Sequence, residues 1–185
     1  KLTELAHKNA MLIFEQFGEK LKREEQRTKG AMEELRQALS LPDELKRVEA
    51  YDISNTQGFE SVGSMVVFED GRAKNSDYRK FKIKTVVGAN DYASMKEVIT
   101  RRLSHAIKEN TEGKTSSFTR LPDLILMDGG KTQVHAAEEV LLAFGMDIPV
   151  CGMVKDDRHR TRGLLFHEQE IRIPLTSEGF SIFLK

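Results

Sequence analysis

The sequence predicts an α/β fold in which helices cover a mixed β-sheet. Residues 47–84 contain three stretches typical of β-strands, and Glu69-Asp70-Gly71 is a good hairpin turn between the second and the third. After them, helical periodicity alternates with short apolar runs, as it does in βα units. Three antiparallel strands followed by βα units indicate a mixed sheet flanked by helices.

The first 39 residues are predicted to be helical, because apolar residues recur there at helical spacing. Residues 22–30 contain no large apolar side chain, so they are either exposed or a junction between two helices. Pro42 ends the helix, since the residue before a proline is driven away from helical geometry. We interpret residues 1–42 as a connector or coiled-coil arm that is not a core element, and residues 43–185 as the folded domain.

The strand predictions cover residues 47–54, 61–69 and 78–84. In the third, an apolar-containing face alternates with a face of lysines. Asn90 or Asp91 then caps a helix. The remaining predicted elements are a polar loop at 109–120, a buried strand ending at Asp128, a helix at about 131–144, a buried strand at 149–154, a hairpin made by GLLFHE and EIRIPL, and a final helix capped by Thr176 or Ser177.

Composition narrows the class of protein. The chain carries 29 Lys and Arg against 29 Asp and Glu, a balance that argues against a general nucleic-acid binder. Residues 72–102, however, hold nine basic against three acidic residues, which indicates either a phosphate-attracting face or an edge strand guarded by lysines. A single cysteine, Cys151, excludes an internal disulfide and fits a reducing cytoplasm. No apolar run reaches the roughly 18 residues of a membrane helix.

Two acids end predicted strands and form a candidate pair. In a βββαβ arrangement the first and fourth strands can lie side by side and parallel, and Asp52 and Asp128 lie at or near their carboxyl ends. Neighbouring carboxylates repel each other, and a divalent cation with hard oxygen ligands, Mg²⁺ or Mn²⁺, relieves that repulsion. Such a metal lowers the pKa of a bound water and stabilises charge on a phosphate.

Structural explanations remain open for both acids. Asp128 can cap the following helix, and Asp52 can form an Asx-turn into Ser54 and Asn55. The DGGK stretch lacks the spacing of a phosphate loop, and no histidine or cysteine set has zinc-ligand spacing. His159 lies in a polar loop, where a solvated role is expected.

Four blocks in order, RVEAYDISNTQG, GANDYASMKEVITRR, LPDLILMDGGKTQVHAAEEVL and IPVCGMVKD, resemble the C-terminal nuclease half of the UvrC family, the C subunit of the excinuclease of bacterial nucleotide excision repair. The resemblance covers about residues 30–185. It implies a ribonuclease H-like fold, incision of damaged double-stranded DNA on the 5′ side of a lesion, and a place in the SOS response. It also implies UvrB as a partner in the pre-incision complex, a cytoplasmic location and no small-molecule cofactor.

The resemblance implies that Asp52 and Asp128 belong to a catalytic core that holds Mg²⁺ or Mn²⁺, with Asp91 as a further functional acid. Asp91 can alternatively be a helix N-cap. Hydrolysis is expected to leave a 3′-hydroxyl and a 5′-phosphate. Candidate contacts to the DNA backbone, which position DNA without reading its sequence, are Arg79, Lys80, Arg101, Arg102 and Lys155.

The sequence departs from the family pattern at one point. The family completes its site with a histidine on the last helix, and none of the five histidines here occupies that position. We therefore expect a piece of a longer protein whose site is incomplete as it stands. Two other function classes stay open: a non-catalytic ribonuclease H-like scaffold for DNA or protein, and another nuclease of that fold, such as a resolvase or a hybrid cutter.

Overall fold

The computed structural model describes residues 2–56, 60–158 and 161–172. Three helices and eight strands lie within these ranges, together with a short 3₁₀ turn at Asn75–Asp77. The helices are α1 (Leu2–Ala38), α2 (Asp91–Thr111) and α3 (Lys131–Phe144). The strands are β1 (Arg47–Thr56), β2 (Glu60–Glu69), β3 (Arg72–Ala73), β4 (Arg79–Lys82), β5 (Leu124–Met127), β6 (Val150–Lys155), β7 (Thr161–Phe166) and β8 (Gln169–Arg172).

All eight strands form a single mixed sheet in the order β3-β2-β1-β5-β6-β7-β8, with β4 also paired to β2. The β1, β2 and β4 strands are antiparallel neighbours, whereas β5 runs parallel to both β1 and β6. The predicted α/β class is confirmed, as is the adjacency of the first strand and the strand that ends at Asp128. The two-residue β3 strand was not predicted.

One face of the sheet is covered by α2 and α3. Side chains alternate along each strand, so Tyr51 of β1, Met65 of β2, Phe81 of β4 and Met127 of β5 all point into this layer. There they pack with apolar residues of the two helices, which recur at the spacing of a single helical face (Met95, Val98, Ile99, Leu103, Val134, Ala137 and Leu141).

The opposite face is covered by the last part of α1. Buried side chains of this helix, from Ala31 to Leu35, and Leu39 directly after the helix pack with Val48, Leu124 and Cys151 of the sheet. The expectation that residues 1–39 are not a core element is therefore wrong for this part. Residues 22–30 continue one helix and do not join two, and Lys22 to Arg27 are exposed.

The hairpin turn after β2 packs closely against α1. Asp70 and Gly71 both have left-handed φ values, 51° and 75°, as the predicted turn requires. A Cβ atom on Gly71 would lie 2.2 Å from the Thr28 carbonyl oxygen, so only glycine fits this contact with α1.

The predicted hairpin near residue 166 is confirmed, because β7 and β8 pair antiparallel. The final helix predicted after Thr176 or Ser177, and His159, lie outside the described residues. Among the residues that are described, no helix is both long and apolar enough to cross a membrane.

Candidate functional site

Asp52 in β1 and Asp128 directly after β5 are neighbours at the two central parallel strands. Tyr51 pairs with Met127 in the β1–β5 ladder, and the Asp128 N–H donates to the Tyr51 carbonyl oxygen at 2.8 Å. Asp52 follows Tyr51 and Asp128 follows Met127, so the two acids occupy neighbouring positions in the same register. Adjacent strands are about 4.8 Å apart, which brings the two carboxylates close to each other.

Both carboxylates project from the sheet face that α1 covers. Side chains alternate between the two faces of a sheet, so Asp52 lies on the same face as Val48 and Ala50, and Asp128 on the same face as Leu124 and Leu126. The core under α1 stops at Ala50 and Leu126, and each acid lies one pleat beyond it, half-buried. The pair therefore borders the core at a position that solvent can reach.

The structural explanations for these acids do not hold. Asp52 lies inside β1, paired with Ser64, and the strand continues to Thr56, so Asp52 neither ends the strand nor starts an Asx-turn. Its Oδ2 atom accepts a hydrogen bond from the Ser54 hydroxyl at 3.0 Å. The N-cap of α3 is Gly130, and no side chain caps that helix. Asp52 therefore forms no Asx-turn, and Asp128 does not cap α3.

Lys155 reaches the same place from β6. Its Nζ atom lies 2.6 Å from Asp128 Oδ1 and forms an ion pair with that carboxylate. That carboxylate oxygen is shielded from solvent, while the Lys155 side chain is 41% exposed. Lys155 therefore lies at the sheet edge that carries Asp128.

Lys80 is the other predicted contact on this face. Asp52 pairs with Ser64, and Ser64 pairs with Lys80, so the three form a row across β1, β2 and β4. Lys80 is exposed and alternates with buried Phe81, which points to the opposite face. Two strand spacings separate it from Asp52, roughly 10 Å.

Arg102 is not available to DNA, and its prediction as a phosphate contact is wrong. The residue is 1% exposed inside the α2 layer. Its guanidinium group donates to both carboxylate oxygens of Glu49, at 3.1 and 2.8 Å. It also donates to the carbonyl oxygens of Phe118 and Arg120, at 2.8 and 2.7 Å. A side chain with these partners supports the fold.

Arg79 and Arg101 are also engaged within the domain. Arg79 donates to the Ser117 hydroxyl at 2.7 Å, and its guanidinium carbon lies 5.2 Å from the centre of the Phe118 ring. Arg101 donates to the Lys82 carbonyl oxygen at 2.7 Å and to Glu97 at 3.2 Å. The contact that each makes with an aromatic ring places both near the α2 layer and away from the carboxylate pair.

Asp91 is the first residue of α2 and half-buried. The helix cap is Asn90, whose side-chain oxygen accepts the Ala93 N–H at 3.0 Å, so the interpretation of Asp91 as the N-cap is wrong. Asp91 thus begins the helix that covers the sheet face opposite Asp52 and Asp128, and its role as a functional acid stays a prediction.

Sequence reasoning missed a buried ionic network on the α2 side of the sheet, opposite the two carboxylates. Glu49 accepts hydrogen bonds from Arg47, Arg102 and the Tyr51 hydroxyl, and Arg47 also binds Asp77. Burial first, and then the Glu49 carboxylate, raise the pKa of Tyr51 well above its usual value. A signal was present in β1, where Arg47, Glu49 and Tyr51 alternate with apolar residues and so share one face.

The donor set suits a hard divalent cation. Two carboxylates at adjacent register offer oxygen ligands, and Mg²⁺ is commonly held by one or two carboxylates with waters and phosphate oxygens completing its shell. Over residues 2–56, 60–158 and 161–172, no group of three or more His, Cys, Asp or Glu side chains is placed to bind a metal.

The fold, an open mixed sheet with a carboxylate on each of its central parallel strands, is ribonuclease H-like. The family model described as the UvrC RNAse H endonuclease domain matches residues 36–184, and the chain belongs to that family.

Named relatives agree with this assignment. The chain is 57% identical over 187 residues to the UvrABC system protein C of Lachnospira eligens, with 100% of this chain and 30% of the relative covered. It is 53% identical over 179 residues to that of Clostridium perfringens, covering 93% and 29%. The chain thus spans about 30% of the length of these relatives. The catalytic domain of human Endonuclease V is a distant structural likeness, with 16% identity, a TM-score of 0.40, and 84% and 74% of the two chains covered.

Proposed function

We propose that this chain is the catalytic part of a divalent-metal-dependent endonuclease that incises damaged DNA on the 5′ side of a lesion. The supporting observation is the Asp52–Asp128 pair at matched register on parallel strands, in a domain of the UvrC endonuclease family. The relatives' name, UvrABC system protein C, supports nucleotide excision repair as the process. UvrB as partner, the cytoplasm as location and participation in the SOS response are parts of the same proposal.

Asp52 and Asp128 would hold Mg²⁺ or Mn²⁺. When bound, the ion supplies a nucleophilic water at neutral pH and stabilises the charge that builds on the phosphate. The Ser54 hydroxyl, 3.0 Å from Asp52 Oδ2, restricts the orientation of one carboxylate. In the structure without metal or DNA, Asp128 is paired with Lys155.

Lys80 and Lys155 would bind phosphates on either side of the reacting one. Both project from the carboxylate face, and neither offers the planar fork that reads a base edge. Contacts of this kind position DNA of any sequence, which suits an enzyme that must accept any sequence around a lesion. Water adds to the phosphorus and the bond to the 3′ oxygen breaks, which leaves a 3′-hydroxyl and a 5′-phosphate.

The test is incision of a lesion-bearing duplex by the full-length protein with its UvrB partner and Mg²⁺. Asp52→Asn keeps the side-chain shape and removes a charged ligand, so the rate of 5′ incision is expected to fall more than about 100-fold, beyond the loss typical of residues that merely support a metal ligand. Asp43→Asn, an exposed carboxylate in the connector after α1, is the matched control and keeps the parent rate. Incision by Asp52→Asn near the parent rate would refute the proposal and favour a non-catalytic scaffold.

A further inference from the structure

We propose that Lys155 couples metal binding to DNA binding, because its ammonium group holds Asp128 and weakens cation binding until a DNA phosphate draws the lysine away. This inference rests on the proposed function, since it concerns the same carboxylate pair. It assigns Lys155 an effect on the metal affinity of the carboxylate pair, which a simple phosphate contact would not have.

The geometry gives Lys155 two competing partners. Its Nζ atom is 2.6 Å from an Asp128 oxygen that solvent does not reach, yet the side chain is 41% exposed. Lys155 is the last residue of β6, and the pairing with β7 shifts register between Val154 and Lys155. Such an irregularity re-aims a side chain, and here it leaves a flexible stem between the carboxylate and the open surface.

Electrostatics sets the direction of the effect. A divalent ion on Asp128 would lie about 5 Å from the ammonium group, where repulsion weakens binding more than tenfold even at the dielectric constant of water. Lys155 therefore lowers the affinity of the pair for a metal as long as it stays on Asp128. If the ammonium group moves to a phosphate, the full negative charge of Asp52 and Asp128 becomes available to the ion.

A DNA phosphate attracts the Lys155 ammonium group away from Asp128. A phosphate approaching the pair is repelled by two carboxylates and attracted only by cations. Lys155 is the cation already in contact with one of them, and the exposed part of its side chain allows it to turn. Binding of the phosphate to Lys155 and of the ion to the carboxylates then assist each other, and by linkage each raises the affinity for the other by the same factor.

The experiment measures Mn²⁺ affinity of the full-length protein by electron paramagnetic resonance, with and without a duplex of about 30 base pairs. Lys155→Met is expected to bind Mn²⁺ about tenfold more tightly than the parent when DNA is absent, and to gain less affinity when DNA is added. Lys155→Arg keeps the charge and is expected to behave like the parent. Thermal unfolding of each variant shows that it is folded.

Lys96→Met is the matched control. Lys96 is 40% exposed and its Nζ lies 2.8 Å from Glu139, so it resembles Lys155 in exposure and pairing but lies on α2. It is expected to leave Mn²⁺ affinity unchanged. Mn²⁺ affinity of Lys155→Met equal to or below that of the parent would overturn the coupling alone. Failure of the parent itself to bind Mn²⁺ would overturn the proposed function as well.

Discussion

Replacing Arg102 with Met removes one of the two buried arginines that bind Glu49 in the buried ionic network. Arg102 makes four hydrogen bonds, two to Glu49 and two to the carbonyl oxygens of Phe118 and Arg120. In the parent, two arginines balance the carboxylates of Glu49 and Asp77, all at most 5% exposed. The variant leaves one buried negative charge in excess and two carbonyl oxygens without this donor.

The expected cost is about 3–5 kcal/mol of unfolding free energy, the range for removing one partner of a buried ion pair. Burial alone would lower the pKa of Arg102, but the Glu49 carboxylate outweighs it and raises that pKa, so the residue is charged at any working pH. Urea denaturation of this chain, followed by circular dichroism, measures the loss.

Arg101→Met is the matched control, one residue earlier on α2. The Arg101 side chain is 34% exposed, so water can solvate the groups that it leaves behind, and its replacement is expected to cost clearly less unfolding free energy than that of Arg102. Arg102→Lys is a second variant that keeps the charge but not the planar fork, and it is expected to lose an intermediate amount. Equal unfolding free energies for Arg102→Met and Arg101→Met would refute the structural role of Arg102.

Two further predictions concern buried titratable groups. Burial would raise the pKa of Asp77, but hydrogen bonds from Arg47 and Ser76 outweigh it and hold that pKa below 3.8, so the stabilisation is fully present above pH 3.8 and is lost as pH falls through the lowered pKa. Asp77→Asn is expected to lower the free energy of unfolding by about 1–3 kcal/mol at pH 7. On acidification to below pH 4, the unfolding free energy of the variant is expected to decrease less than that of the parent. Urea titrations at both pH values check this, and parallel pH profiles of the two proteins would contradict it. Burial raises the pKa of Cys151 to about 12, so the folded chain is expected not to react with a thiol reagent at pH 8 and the urea-unfolded chain to react fully. Rapid labelling of the folded chain would contradict the burial of Cys151.

Sequence reasoning found the carboxylate pair because its information is local. The run that contains Asp52 and the run that precedes Asp128 have clear strand patterns, and the simplest topology places the two strands next to each other. The same reasoning failed for Arg102, which was predicted to contact the DNA backbone. Its partner, Glu49, is 53 residues away along the chain, so the sequence around Arg102 does not indicate that Arg102 is buried.

Packing of α1 was beyond sequence reasoning for a related reason. The apolar stripe from Ala31 to Leu39 predicts a helix with one buried face, but not the surface that buries it. The two-residue strand β3 was missed because it is too short to show a period. Long-range burial, not local propensity, decides both the end of α1 and the network around Glu49.

The most direct test of the account is whether Asp52 and Asp128 together form a metal site. Mn²⁺ binding to the full-length protein, measured by electron paramagnetic resonance, is expected to weaken more than about 100-fold in Asp52→Asn and equally in Asp128→Asn. Asp147→Asn, an exposed carboxylate before β6, is expected to bind as the parent does. Mn²⁺ binding at the parent affinity by either Asp52→Asn or Asp128→Asn would contradict the account.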